Sequence, residues 1–137
     1  MNNEKPPNLP DLENLNRIMV KIKTKGNLAG VLLSYDDGTL VAENLEKKAQ
    51  KEIPLKSFNP MLASVLKSGE KLSQTVGERD LVKIVAQLKN YSIILIKFND
   101  KELFLALLID HSSKVGSLLD DFDKKIETYI QEIEKCV

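Results

Sequence analysis

The sequence predicts an α+β domain, helices covering both faces of an antiparallel sheet, in the order α-β-β-α-β-β-β-α. Three observations carry this. Apolar residues recur at helical spacing near both ends of the 137-residue chain. Two short apolar runs, Gly30 to Tyr35 and Thr39 to Glu43, flank Asp36-Asp37-Gly38, a strong hairpin signal. Leu81 to Asp110 holds three strand-like runs with no room for a helix between them. Their connections, around Asn90-Tyr91 and at Asn99 to Glu102, are short enough to require antiparallel neighbours.

Residues 1–10, with Pro6, Pro7 and Pro10, read as a flexible leader to a single domain over 11–137. Asp11 is placed to cap a first helix whose apolar positions are Leu12, Leu15, Ile18, Met19 and Ile22. Lys21, Lys23 and Lys25 favour the negative pole of its dipole, and Gly26-Asn27 stops it. The Asp-Gly hairpin that follows suits a type I′ turn. Asn44 to Ser57, polar and lysine-rich with Pro54, reads as a loop. Asn59-Pro60 then supplies a cap and a proline at the first helical position of a second helix reaching Val76, interrupted at Gly69. Met61, Leu62, Val65, Leu66, Leu72 and Val76 are its apolar residues.

The three late strands form a gradient. Leu103 to Ile109 is apolar on both alternating faces, which water tolerates only if both faces are covered, so this strand is central. Ser92 to Phe98 is nearly as apolar and belongs beside it. Leu81 to Lys89 carries Lys83, Gln87 and Lys89 and suits an edge. A last helix, from about Val115 with Ser112 or Ser113 as cap, spaces Leu118, Leu119, Phe122, Ile126, Ile130 and Ile133 helically.

Little here suggests chemistry. Lys plus Arg equals Asp plus Glu at 20 each, so no global field favours nucleic acid or an anionic membrane. The one cysteine, Cys136, excludes an internal disulfide and argues against a cysteine-based zinc site. No signal peptide or membrane span is legible, and a cytoplasmic location is expected. The one histidine, His111, leaves the most buried strand beside Asp110, but adjacent strand residues point to opposite faces. No Walker loop or dinucleotide fingerprint occurs. Asp120, Asp121 and Asp123 read as a solvated acidic face near a helix start, and Asp36 and Asp37 as turn-formers. Arg79 reads as a surface residue rather than an arginine finger. No enzymatic activity, metal or cofactor is expected.

The run Ala29 to Ala42 with its Asp-Asp-Gly hairpin, then a helix, a three-strand meander and a terminal helix, resembles the roadblock family of dynein light chains and GTPase regulators. The passage from Leu103 through Asp110-His111-Ser112-Ser113 to Gly116 adds to the likeness, which spans Leu12 to Ile133. Longin and profilin-like domains share a sheet flanked by helices, but longin domains usually open with strands. The resemblance implies a five-stranded antiparallel sheet centred on Leu103 to Ile109. It also implies dimerisation, homotypic or with a second roadblock-like subunit, through Leu81 to Lys89 edges and paired second helices. The implied interface residues are Met61, Val65, Leu72, Leu81, Lys83, Val85 and Gln87. The partner it implies is a small Ras-like GTPase, for which Ser64, Lys67, Ser68 and Lys71 are candidate contacts. A structural light chain or scaffold subunit, indifferent to nucleotide, and a small-ligand domain of profilin type are the alternatives.

Overall fold

A computed structural model describes residues 9–78, 80–111 and 118–137, and of 118–123 the backbone only. Its elements are α1 (Leu12–Gly26), β1 (Gly30–Tyr35), β2 (Leu40–Leu45), α2 (Lys47–Glu52), α3 (Leu55–Thr75), β3 (Ile84–Gln87), β4 (Tyr91–Lys97), β5 (Leu103–Asp110) and α4 (Leu118–Glu134). The five strands form one antiparallel sheet in the order β2-β1-β5-β4-β3. β5 is central, as its two apolar faces require: Leu103 to Ile109 are all buried.

Each face of the sheet has its own core. On one side Val31, Leu33, Leu105 and Leu107 meet Leu15, Met19 and Ile22 of α1 and Ile126 and Ile133 of α4. On the other, Leu32, Leu95, Phe104 and Leu108 meet Ala49 of α2 and Leu62, Ala63 and Leu66 of α3. The period-two alternation of the strands divides these sets, so β5 sends Leu105 and Leu107 one way and Phe104 and Leu108 the other. Asp11 caps α1 by accepting from the Asn14 amide, while its own N–H donates to the Cys136 carbonyl at 2.7 Å, tying α1 to the end of α4. Asn27, in the left-handed region at φ 49°, ends α1.

Several expectations are corrected. The stretch expected to loop from Asn44 extends β2 to Leu45 and then forms α2, because Ala49 fills the α3-side core and Gln50 Nε2 donates to the Leu45 carbonyl at 3.0 Å. α3 starts at Leu55 rather than at Asn59-Pro60, and Pro60 sits inside it near the N-terminal end. Asn59 is consequently not a cap: its side chain is buried and its amide donates to Ser34 Oγ on β1 at 3.2 Å. Gly69 does not interrupt the helix; a Cβ there would lie 2.5 Å from Ile84 Cδ1, so its bareness lets α3 approach β3 closely. β3 pairs over only four residues of the expected Leu81 to Lys89 run. The start of the last helix at Val115, its caps Ser112 and Ser113, the side chains of Asp120, Asp121 and Asp123, the leader over 1–8 and Arg79 lie outside the described residues.

The hairpin turn also differs in type. Gly38 alone takes positive φ, at 92°, and Asp36 and Asp37 do not. The Gly38 N–H donates to the Tyr35 carbonyl at 2.8 Å and the Tyr35 N–H to the Thr39 carbonyl at 2.9 Å. That is a three-residue loop closed by a left-handed glycine, the alternative to a type I′ turn. Asp37 Oδ1 accepts from the Thr39 amide at 2.8 Å, which holds the Asp37 carboxyl below its ordinary range. A Cβ on Gly38 would lie 2.8 Å from the Pro60 Cα, so the turn is seated on α3.

Gly38→Ala therefore meets both a disfavoured φ and a backbone wall. We expect a loss of about 2 kcal/mol in denaturant unfolding. Asp36 in the same turn has a buried Oδ1 without a partner among the described residues, and burial raises its pKa. The folded state thus prefers it protonated, a contribution present below the ordinary value of 3.8 and lost as pH rises through the higher folded pKa. Asp36→Asn should gain stability relative to the parent between about pH 3 and 7, measured by urea midpoints across that range.

Candidate interaction surface

α3 carries two apolar faces, and among the described residues only one is buried. Leu62, Ala63 and Leu66 face the sheet and are buried. Met61, Val65, Leu72 and Val76, spaced four, seven and four residues apart, form a second stripe and are 61%, 40%, 67% and 67% exposed. A helix turns about 100° per residue, so these four fall within roughly 60° of one another, with Ser68 in the gap between Val65 and Leu72. Spacing of that kind is what a partner helix requires. Gly69 lies between the stripe and β3, and its close contact with Ile84 makes the helix stripe and the sheet edge one continuous surface.

The edge is an open strand. β3 pairs with β4 from Ile84↔Leu95 to Gln87↔Ser92 and, among the described residues, has no strand on its other side. Ile84 and Ala86 turn toward the α3-side core, whereas Val85 is 55% exposed and Lys83 and Gln87 are exposed on the opposite face. Unpaired N–H and C=O groups along such a strand form a ready template for another strand. Leu81, one of the implied interface residues, precedes the ladder and packs instead on the α3-side core. Three exposed apolar residues that sequence reasoning left out of the interface flank these elements: Val76 at the end of α3, and Val82 and Leu88 before and after β3. Continuing the Met61–Leu72 stripe by one more helical turn would have found Val76.

The polar positions occupy the adjoining strip of α3. Lys67, Ser68 and Lys71 are exposed there, but Ser64 Oγ donates back to the Pro60 carbonyl at 3.2 Å and is committed to its own helix. Around this surface the helices are tethered by polar ties. Lys97 Nζ on β4 meets Glu70 Oε1 on α3 at 3.0 Å, and Lys48 Nζ on α2 meets Asp110 Oδ2 at 3.4 Å. The Tyr91 hydroxyl donates to Glu52 Oε2 at 2.7 Å, and this bond to a carboxylate pushes the phenol up to about 12.

Both ring nitrogens of the exposed His111 have partners. Its Nδ1 lies 3.1 Å from the Lys89 carbonyl, an acceptor only, so Nδ1 donates there, and Nε2 shares a hydrogen bond with Ser92 Oγ at 2.7 Å. Its N–H donates to the Asn90 carbonyl at 3.0 Å. The ring thereby fastens the β3–β4 turn to the exit of β5, and so sets the position of the open edge. Cys136 packs on the other core, with α1 and α4. No group of three or more His, Cys, Asp or Glu side chains is placed to hold a metal among the described residues. Nor is any helix among them long and apolar enough to cross a membrane.

Because the outer stripe of α3 is largely exposed among the described residues, charging it separates folding from association. Val65→Lys with Leu72→Lys should leave the unfolding free energy of the isolated chain within about 0.5 kcal/mol, while shifting the sedimentation coefficient to that of a monomer.

No family model matches the sequence, and no curated protein is significantly similar to it. Solved structures are similar in fold. One titled MglB with tetrameric arrangement superposes with a TM-score of 0.77 at 18% identity, covering 97% of this chain and 100% of that one. The gliding protein MglB of Thermus thermophilus gives 0.77 at 17% identity over 96% and 99%. A Roadblock/LC7 domain from Streptomyces avermitilis gives 0.60 at 13% identity over 85% and 97%. With the same two-faced antiparallel sheet across nearly its whole length, the chain has the fold of roadblock/LC7 domains.

Proposed function

We propose that this chain is a non-catalytic dimeric interaction module that binds a small Ras-like GTPase and regulates or scaffolds it. The observation that carries the reading is the surface just described, in which an unpartnered helix stripe and an open strand edge lie side by side. Joined about a two-fold axis, two such surfaces pair β3 with β3 and α3 with α3, each burying the other's Val65, Leu72 and Val85. The likeness to MglB structures, one of them in a tetrameric arrangement, supports self-association. The polar strip with Lys67, Ser68 and Lys71 borders the joined helices and would present one composite face from two subunits.

Such a face acts by selection. A partner that binds one conformation of a nucleotide-dependent switch better than the other shifts its population without contributing a reacting group. The absence of catalysis is part of the proposal, and the occupied ring of His111 supports it. A scaffold of the light-chain type would use the same surface and bind both nucleotide states alike.

Light scattering at micromolar concentration should give a dimer, and Val85→Asp a monomer. Immobilised protein should retain a Ras-like GTPase from lysate equilibrated with a non-hydrolysable GTP analogue in different amount than from lysate with GDP. Equal retention would favour the scaffold, and a parent protein that is already monomeric would sink the edge pairing.

A further inference from the structure

β4 is longer than the strand that covers it. The β3–β4 ladder stops at Ile84↔Leu95, yet β4 continues to Lys97. Extending the register by two residues would set Val82 opposite Lys97, but residues 81–83 are not in the strand. Hydrogen-bonded positions alternate in an antiparallel pair, and the Leu88 N–H donates to the Tyr91 carbonyl, so Tyr91, Ile93, Leu95 and Lys97 direct their main-chain groups toward β3. Those of Lys97 therefore face a gap in the ladder, with no β3 partner among the described residues. Beside this gap, between residues 80–82 and α4, lies a cleft of about 450 Å³ that Lys97 helps to line, within the usual range for ligand sites of about 300–1,000 Å³.

The walls of the cleft are distinctive. Ile96 and Ile130 supply an apolar surface over the buried Phe98. Asp80, Asp100, Glu127 and Glu134 surround it, the last two a pair of helical turns apart on one side of α4. None of these four carboxylates has an ion pair among the described residues. Lys97, the one cation among the described lining residues, is engaged by Glu70 on the α3 side. In a chain of balanced overall charge, four like charges around an apolar floor repel one another and attract cations.

We propose that this cleft takes an extended basic segment of a partner protein, which adds main-chain hydrogen bonds at Lys97 and sets lysine or arginine side chains against the four carboxylates. The segment acts as the missing continuation of β3, its alternate apolar residues resting on Ile96 and Ile130. Strand addition gives affinity through the backbone, and the acidic rim gives preference for basic sequence. This inference is separate from the GTPase reading, because the cleft lies at the α4 side of the edge and not on the Lys67–Lys71 strip of α3.

The test is fluorescence anisotropy with the full chain and a labelled Lys-Val-Arg-Val-Lys peptide. We expect saturable binding, weakened about tenfold or more by Glu127→Lys with Glu134→Lys. Glu43→Lys on β2 should leave it unchanged. N-methylation of alternate peptide amides, which keeps the charge and removes main-chain donors, should weaken it to a similar degree. Should the double reversal fail to fold by circular dichroism, Asp80→Asn with Asp100→Asn serves instead. The proposal is overturned by no saturable binding at millimolar peptide, by equal binding of the N-methylated peptide, or by equal loss in Glu43→Lys. It is also overturned if the reversals instead dissolve a self-association seen by light scattering, which would make the occupant a second copy.

Discussion

The architecture depends on burying β5 on both faces. Leu103, Phe104, Leu105, Leu107, Leu108 and Ile109 are each at most 4% exposed, and a large apolar side chain contributes about 1.5–3 kcal/mol when fully buried. That gain is available only if one helical layer lies above the strand and another below it. Everything else follows from where those layers must go. α1 and α4 take one face with Leu105 and Leu107, and α2 and α3 take the other with Phe104 and Leu108. Lateral neighbours β1 and β4 then cover the strand's hydrogen-bonding groups and inherit most of the burial.

Shielding falls away from this centre, and the surface of interest lies where it ends. β3 is two strands removed, pairs for four residues and keeps only Ile84 and Ala86 under α3. α3 is longer than the sheet beneath it can use, and the turns beyond Leu66 present Leu72 and Val76 to solvent. Gly69 matters because it lowers the helix onto Ile84 and so brings these two leftovers together. The chain thus satisfies its interior and leaves a linear apolar margin, which association can bury at little further cost in ordering. His111 contributes by holding the turn that ends the open strand.

Helix boundaries were less legible than strand order. The Asn59-Pro60 pair has the chemistry of a helix start, yet α3 begins one turn earlier, since Asn59 has a better use: bonding Ser34 across to β1. α2 was hidden because a six-residue helix with one buried residue, Ala49, has no periodicity to read. It exists through contacts distant in sequence, namely Lys48 with Asp110 and Glu52 with Tyr91. The turn type was likewise decided elsewhere, by the seating of Gly38 on Pro60.

By itself the sequence determined the sheet: its five strands, the central place of Leu103 to Ile109 and the edge character of the run from Leu81. These follow from local alternation of apolar and charged residues, which each strand carries in its own sequence. Only the tertiary structure decided which half of α3's apolar residues would be spent inside. Met61 and Leu62, or Val65 and Leu66, are equally apolar neighbours, and composition cannot separate them. The separation comes from the angle at which α3 meets β3 and β4, set by Gly69, Asn59 and the Lys97–Glu70 pair. The same holds for the acidic cleft, whose carboxylates come from three segments distant in sequence and meet only because β3 stops short of β4.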